Sequence, residues 1–170
     1  MIRVRRIVGP EPEASDALAA LLQDVVHDGA SVGFLAPLSR PSAMSYWQRL
    51  IGRLDEDLAL WVAEDDGRIV GSVQLERCAK ENGRHRAEVQ KLFVLTSHRG
   101  RGIATRLMQA VEAHARGTGC TLLVLDTLSD SAAASVYRHL GWRHAGSIPA
   151  YAATPDGRLH ATSYFYKQLS

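Results

Sequence analysis

The residues most able to do chemistry lie in one short stretch, Thr96-Ser97-His98-Arg99-Gly100-Arg101-Gly102-Ile103-Ala104, between a strand-like run from Glu88 to Leu95 and an amphipathic helical run from Ile103 to Arg116. The start of a helix exposes unpaired amide N–H groups and the positive end of its dipole, so its natural ligand is an anion. Gly100 and Gly102 let the backbone bend and approach phosphate oxygens, and Arg99 and Arg101 add mobile positive charge. Two other phosphate loops do not fit. The P-loop requires a lysine that is absent, and the dinucleotide fingerprint fails because Thr105 stands at its third small position and the motif follows several strands instead of opening the fold. Cys78 and Cys120 have neither metal-ligand spacing nor a histidine at suggestive spacing, and read as buried free thiols of a reducing cytoplasm. The seven histidines form no metal-binding pattern, and no metal is expected.

The elements around this loop follow from periodicity. Ile2 to Val8 alternates as a strand, Glu13 to His27 is helical with Leu18, Leu21, Leu22, Val25 and Val26 on one stripe, and Pro41 to Leu54 is helical again. Leu58 to Glu64 and Ile69 to Arg77 read as a hairpin about Asp65-Asp66-Gly67-Arg68. Thr121 to Leu125 is a continuous apolar run, expected to be a strand covered on both faces. Ser131 to Leu140 is a helix stopped by Gly141, and the tail holds a turn at Pro155-Asp156-Gly157 and a strand from Ser163 to Leu169, with an extra strand near Arg143 to Ile148. Strand, helix and strand from Glu88 to Leu125 require a right-handed parallel crossover, whereas the shorter connections make antiparallel pairs. The expected class is α/β: a mixed, mostly antiparallel sheet with one parallel pair, flanked by helices.

At 170 residues the chain, 1–170, reads as one domain. A net charge of +2, from 20 Lys and Arg against 18 Asp and Glu, gives no general attraction to nucleic acid. No apolar run approaches the length of a membrane-spanning helix. Arg3, Arg5 and Arg6 are followed at once by Glu11, Glu13 and Asp16, unlike a transit peptide. Trp47, Trp61 and Trp142 occupy apolar positions and are expected in the core.

The loop satisfies [QR]-x-x-G-x-[GA] at Arg99-Gly100-Arg101-Gly102-Ile103-Ala104, and on this motif the chain resembles the GNAT superfamily of acetyltransferases, whose fold matches the class above. The segment from Asp126 to Trp142 is similar to the superfamily's next cofactor-contacting segment, so Ser131 is included among the cofactor residues. The resemblance implies acetyl-CoA as acetyl donor, its diphosphate on Arg99 to Ala104 and its pantetheine arm along Leu92, Phe93 and Val94. It also implies transfer to a primary amine, which is expected to be direct because neither cysteine suits a covalent relay; the free thiols point to the cytoplasm, charge and hydropathy to no nucleic-acid or membrane partner, and relatives often form homodimers.

A narrower resemblance, to the tabtoxin-resistance acetyltransferases, rests on Gly29–Phe34, Ala87–Leu92 and Ala153–His160, and departs around Leu128 to Ser131 and Ser147 to Tyr151. It implies a small-molecule acceptor such as an amino-acid-like toxin, tabtoxinine-β-lactam among them, and hence toxin or antibiotic resistance. Transfer needs an uncharged amine, and an alkyl amine of pKa ~10.4 is protonated at neutral pH, so a base is required. The relatives' catalytic carboxylates fall at Glu88 and Asp126, and either could be the base. Tyr137 is the expected acid toward the departing thiolate. Gly29–Arg40 and Tyr151–His160 are the expected substrate-pocket segments. The alternatives are a non-catalytic acyl-CoA sensor, or acetylation of protein or peptide amines.

Overall fold

The computed structural model describes residues 1–170. In order it contains β1 (Ile2–Ile7), α1 (Pro12–His27), α2 (Arg40–Ile51), β2 (Leu58–Asp65), β3 (Arg68–Arg77), β4 (Arg86–Val94), α3 (Ile103–Gly117), β5 (Leu122–Leu128), α4 (Ala132–His139), β6 (Arg143–Ala153) and β7 (Leu159–Gln168). One seven-stranded sheet runs β1-β2-β3-β4-β5-β7-β6. Only β4 and β5 are parallel; every other neighbouring pair is antiparallel. This is the expected mixed α/β class.

Local chemistry explains the joints. Asp66 and Gly67 both have positive φ, 48° and 80°, the geometry of a two-residue hairpin that matches strand twist. Gly141, at φ 82°, follows α4 in the left-handed position expected of it. Pro12 opens α1 and Pro41 lies in the first turn of α2, where a missing N–H costs nothing. Helix α2 stops at Ile51, short of the expected Leu54, because Gly52 caps it and the Asp55 carboxylate then accepts the N–H groups of Asp57 and Leu58 in a turn.

Two cores sandwich the sheet. On one side α3 and α4 pack Ile103, Leu107, Met108, Val111 and Tyr137 against Val73, Leu75, Val89, Leu123 and Leu125. Gly71 permits this closeness: a Cβ there would lie 2.9 Å from the Phe93 carbonyl oxygen and 3.2 Å from Ile103 and Leu107 side-chain carbons. On the other side α1 and α2 cover Leu58, Leu60, Val62 and Phe93. Trp47, Trp61 and Trp142 are all buried. The coverage by α1 and α2 stops at β4. Strand β5 was expected to be covered on both faces, but Leu123 and Leu125 are buried while Asp126 is exposed; its outer face has no helix upon it. Cys120 is buried, whereas Cys78 is only partly so, because it leaves the end of β3 beside the Lys80–Arg86 loop.

Glu112 of α3 is the principal buried charge. Its carboxylate accepts Lys167 Nζ at 3.0 and 2.9 Å and Trp142 Nε1 at 3.3 Å, while Lys167 also donates to the Leu140 carbonyl. Removing one member of such a pair leaves its partner desolvated and uncompensated. Glu112→Ala is therefore expected to cost about 3 kcal/mol, read as a lower denaturant midpoint at unchanged slope, with Lys167→Met in the same chain recovering part of it.

Candidate active site

The stretch from Arg99 to Thr105 is built to present amides. Before it, Thr96 donates its N–H and its hydroxyl to Asp24 of α1 at 2.8 and 3.0 Å, which fixes the turn leaving β4. Gly100 and Gly102 then adopt φ 74° and 73°, left-handed conformations that cost an L-residue about 1–2 kcal/mol. Gly102 is the N-cap of α3 and supplies no side chain to the helix start. The first amide that finds an acceptor is Arg106, which donates to the Gly102 carbonyl at 3.2 Å. The six preceding N–H groups, from Gly100 to Thr105, donate to no carbonyl and no side chain. A run of unpaired amides on a glycine-relaxed bend, at the positive end of a 15-residue helix, suits a diphosphate. Ile103 is buried in the core and offers only its backbone. The two arginines are held, not mobile as expected: Arg99 Nη1 is ion-paired with Asp28 and Arg101 Nη2 with Asp65 at 2.8 Å, because α1 and the end of β2 bring those carboxylates to the loop.

Strands β4 and β5 run side by side only briefly. Arg86, Ala87 and Glu88 pair with Leu122, Leu123 and Val124, and beyond Glu88 and Val124 no register continues, although both strands do. The sheet therefore opens in a wedge pointing toward the loop. A bulge in β4 widens it: from Ser72 to Gln74 on β3 the partner strand passes from Phe93 to Gln90, and Lys91 takes up the slack at φ 52°. The Leu95 N–H donates to Val70 on β3 at 2.9 Å. By alternation the Val94 N–H, and the Leu92 N–H two residues before it, turn to the open edge. Phe93 faces otherwise: its side chain is buried under α2, edge-on to Trp47 with ring centroids 6.4 Å apart.

Glu88 stands where the wedge begins, and Asp126 lies on the same outer face of β5, two residues past Val124. Partial loss of water is the main cause that raises the carboxyl pKa of each, Asp126 keeping one side open to solvent, and the Asp126 and Glu76 charges raise Glu88 further. Lys91, its own pKa lowered by burial, counteracts part of the rise at Asp126. On the opposite face Tyr137 is 6 % exposed, packed against Trp142 and Phe165 at 6.1 and 6.0 Å, with its pKa raised by burial first and by the Asp126 charge second. Ser131 caps α4, accepting the Ala134 N–H at 3.2 Å.

Two segments expected at a substrate pocket meet on this outer face. Lys91 Nζ donates to the Val32 carbonyl at 2.8 Å, and the Ala36 N–H donates to the Pro155 carbonyl at 2.9 Å. The 29–38 loop, β4 and the β6–β7 turn thus form one rim. Within it, Tyr164 pairs with Asp126 across β5 and β7 and donates its hydroxyl to Tyr151 at 2.7 Å, its own pKa pushed up to about 12 chiefly by that bond. Sequence reasoning missed Lys91 and Tyr164. Nothing in the sequence marks a lysine for a left-handed bulge, whereas the alternation of the last strand could have placed Tyr164 beside Asp126. A separate hollow of ≈ 490 Å³ lies where β4 and β5 begin, between His85, Thr121 and Gln168, and none of these groups lines it. No three His, Cys, Asp or Glu side chains gather as a metal-holding group, and no helix is long and apolar enough to cross a membrane.

The model of the acetyltransferase (GNAT) family matches residues 18–142. The chain is 36 % identical over 105 residues to an uncharacterized N-acetyltransferase of Azospirillum brasilense, an alignment that spans 61 % of each protein. Among solved structures it superposes on an N-acetyltransferase from Staphylococcus aureus Mu50 with a TM-score of 0.82 at 18 % identity, covering 100 % of this chain and 99 % of that one. A GNAT superfamily phosphinothricin acetyltransferase from Sinorhizobium meliloti, solved in complex with acetyl-CoA, superposes with a TM-score of 0.80 at 17 % identity, covering 99 % and 89 %.

Proposed function

The chain belongs to the acetyltransferase (GNAT) family, and from that premise we propose that it moves the acetyl group of acetyl-CoA directly to the primary amine of a small molecule in the cytoplasm. The observation that carries this reading is the alignment of two features: six unpaired amides at the start of α3, and a wedge between β4 and β5 that opens toward them with Glu88 at its apex. The amides of Gly100 to Thr105 would hold the diphosphate. The pantetheine arm would lie along the open edge of β4 as an added strand, bonded by Leu92 and Val94.

The chemistry follows from that placement. Glu88 or Asp126, once ionised, takes a proton from the acceptor ammonium, directly or through water, and the amine nitrogen attacks the thioester carbonyl carbon. A backbone N–H of the β4 bulge stabilises the oxyanion. The tetrahedral adduct collapses as the C–S bond breaks: the thiolate takes a proton from Tyr137, and the proton still carried by the attacking nitrogen passes through water to restore the tyrosine, leaving a neutral amide and a free thiol. With its pKa raised by burial, Tyr137 stays protonated but is a weak acid, so its help to the leaving thiolate is small. A thiolate with a Cys-like pKa of ~8.5 leaves with little help. Tyr137→Phe is therefore expected to lower kcat by about tenfold with acetyl-CoA affinity unchanged, measured by thiol release and by calorimetry.

An amino-acid-like toxin is the proposed acceptor class. The three stretches that carry the tabtoxin-resistance resemblance, Gly29–Phe34, Ala87–Leu92 and Ala153–His160, all contribute to the rim described above, and this convergence supports the reading. Thiol release over an amine panel tests it: steady turnover is expected, and saturable acetyl-CoA binding without turnover on any amine would favour a sensor.

A further inference from the structure

Behind Glu88, on the same outer face, lies a cavity of ≈ 250 Å³ whose lining includes Glu76, Cys78, Arg86, Glu88 and Val124. Most charges near it are already satisfied. Glu76 accepts Gln90 at 3.3 Å and lies 3.7 Å from Arg53; Arg84 is paired with Asp57 at 2.7 and 2.8 Å; Arg77 Nε donates to the Arg84 carbonyl at 2.7 Å. Arg86 and Glu88 are different. Neither side chain has an ion pair, Glu88 has only the Gln90 amide beside it, and the Arg86 guanidinium donates no hydrogen bond, although the two sit two residues apart on one face of β4, about 7 Å along the strand. Gly83 sets the place of that guanidinium: a Cβ there would meet Arg86 Nη1 at 2.7 Å and Cys78 Sγ at 2.5 Å.

Opposite charges held in one cavity without meeting are complementary to a ligand that carries both signs. We infer that this cavity is the distal acceptor subsite, that Arg86 binds a carboxylate of the acceptor while Glu88 faces its amine, and that the acceptor is therefore a free amino acid and not a simple amine or diamine. The inference rests on the acetyl-transfer reading above and adds to it the residue that recognises the acceptor's carboxylate. A planar guanidinium suits the purpose because it can grip a carboxylate through two parallel N–H bonds. Arg86 is a specificity residue on this account; it touches the acceptor but takes no part in the proton transfers.

The test compares amino acids with the amines obtained by removing their carboxylate, such as lysine with cadaverine and ornithine with putrescine, on the wild-type chain and on Arg86→Gln and Arg86→Lys. Wild type is expected to prefer the amino acid of at least one pair. Arg86→Gln should lower kcat/KM for that amino acid by about tenfold or more through KM, with the matched amine and the acetyl-CoA dissociation constant within about twofold of wild type. Arg86→Lys, which keeps the charge but loses the fork, should fall between and also guards against a folding defect in the first variant. Equal losses for both members of the pair, or no loss for either, overturn the inference. Turnover of amines with no preference for any amino acid overturns it while leaving acetyl transfer standing, and turnover of no amine at all removes both.

Discussion

Replacing Glu88 by Gln and Asp126 by Asn in the same chain is expected to lower kcat/KM for the acceptor by about 10²- to 10⁴-fold, while acetyl-CoA binding stays within about twofold of wild type because neither side chain touches the amide cradle. The singles separate the roles. The variant whose loss matches the double carries the base, and the other carboxylate acts through its charge. Both carboxyl groups titrate above their ordinary range, so the acid limb of the wild-type pH–rate profile should lie above that of a solvated carboxylate, and removal of the base should abolish it. Stability moves the opposite way. A carboxyl whose pKa is raised on folding binds more protons in the native state between its unfolded and folded pKa values, so stability falls as pH rises through that window. Glu88→Gln should accordingly raise Tm at neutral pH and leave it nearly unchanged at a pH below the unfolded carboxyl pKa. Wild-type rates in all three variants would remove Glu88 and Asp126 from the chemistry.

Gly102→Asp is the second large effect, expected to weaken acetyl-CoA binding by about 10- to 100-fold in calorimetry, since 1.4 kcal/mol corresponds to each factor of ten. Space is not the cause, because a Cβ at Gly102 meets nothing within 4 Å. An aspartate here puts a negative charge beside the amides proposed to hold the diphosphate, which repels the cofactor and offsets the positive end of the helix. Gly102→Ala isolates the other contribution. It carries the left-handed strain, about 1 kcal/mol of folding stability, without an anion, and should lower Tm with a much smaller change in cofactor affinity.

The fold was legible because the hydrophobic period is strong in most elements. The stripe of α1, the Asp66-Gly67 turn and the Gly141 stop each have a local cause, and each stands as the periodicity and turn chemistry require. Strand β5 was misjudged on its outer face because an apolar run looks the same whether a helix covers it or leaves it open. Of the candidate site, the loop was readable as glycines ahead of a helix, and Glu88 and Asp126 were supplied by resemblance. The wedge was not readable, since residue type marks neither the point past Glu88 where the two strands part nor the bulge at Lys91 that widens the gap. Nor was the engagement of Arg99 and Arg101, because Asp28 and Asp65 reach them only through the packing of α1 and β2 against the loop.

The most direct measurement is a crystal structure of the chain with acetyl-CoA bound. The account predicts diphosphate oxygens within hydrogen-bonding distance, about 3 Å, of several amides between Gly100 and Thr105, with the thioester in the wedge between β4 and β5 near Glu88. A cofactor bound elsewhere, or one whose diphosphate leaves those amides unpaired, would contradict it.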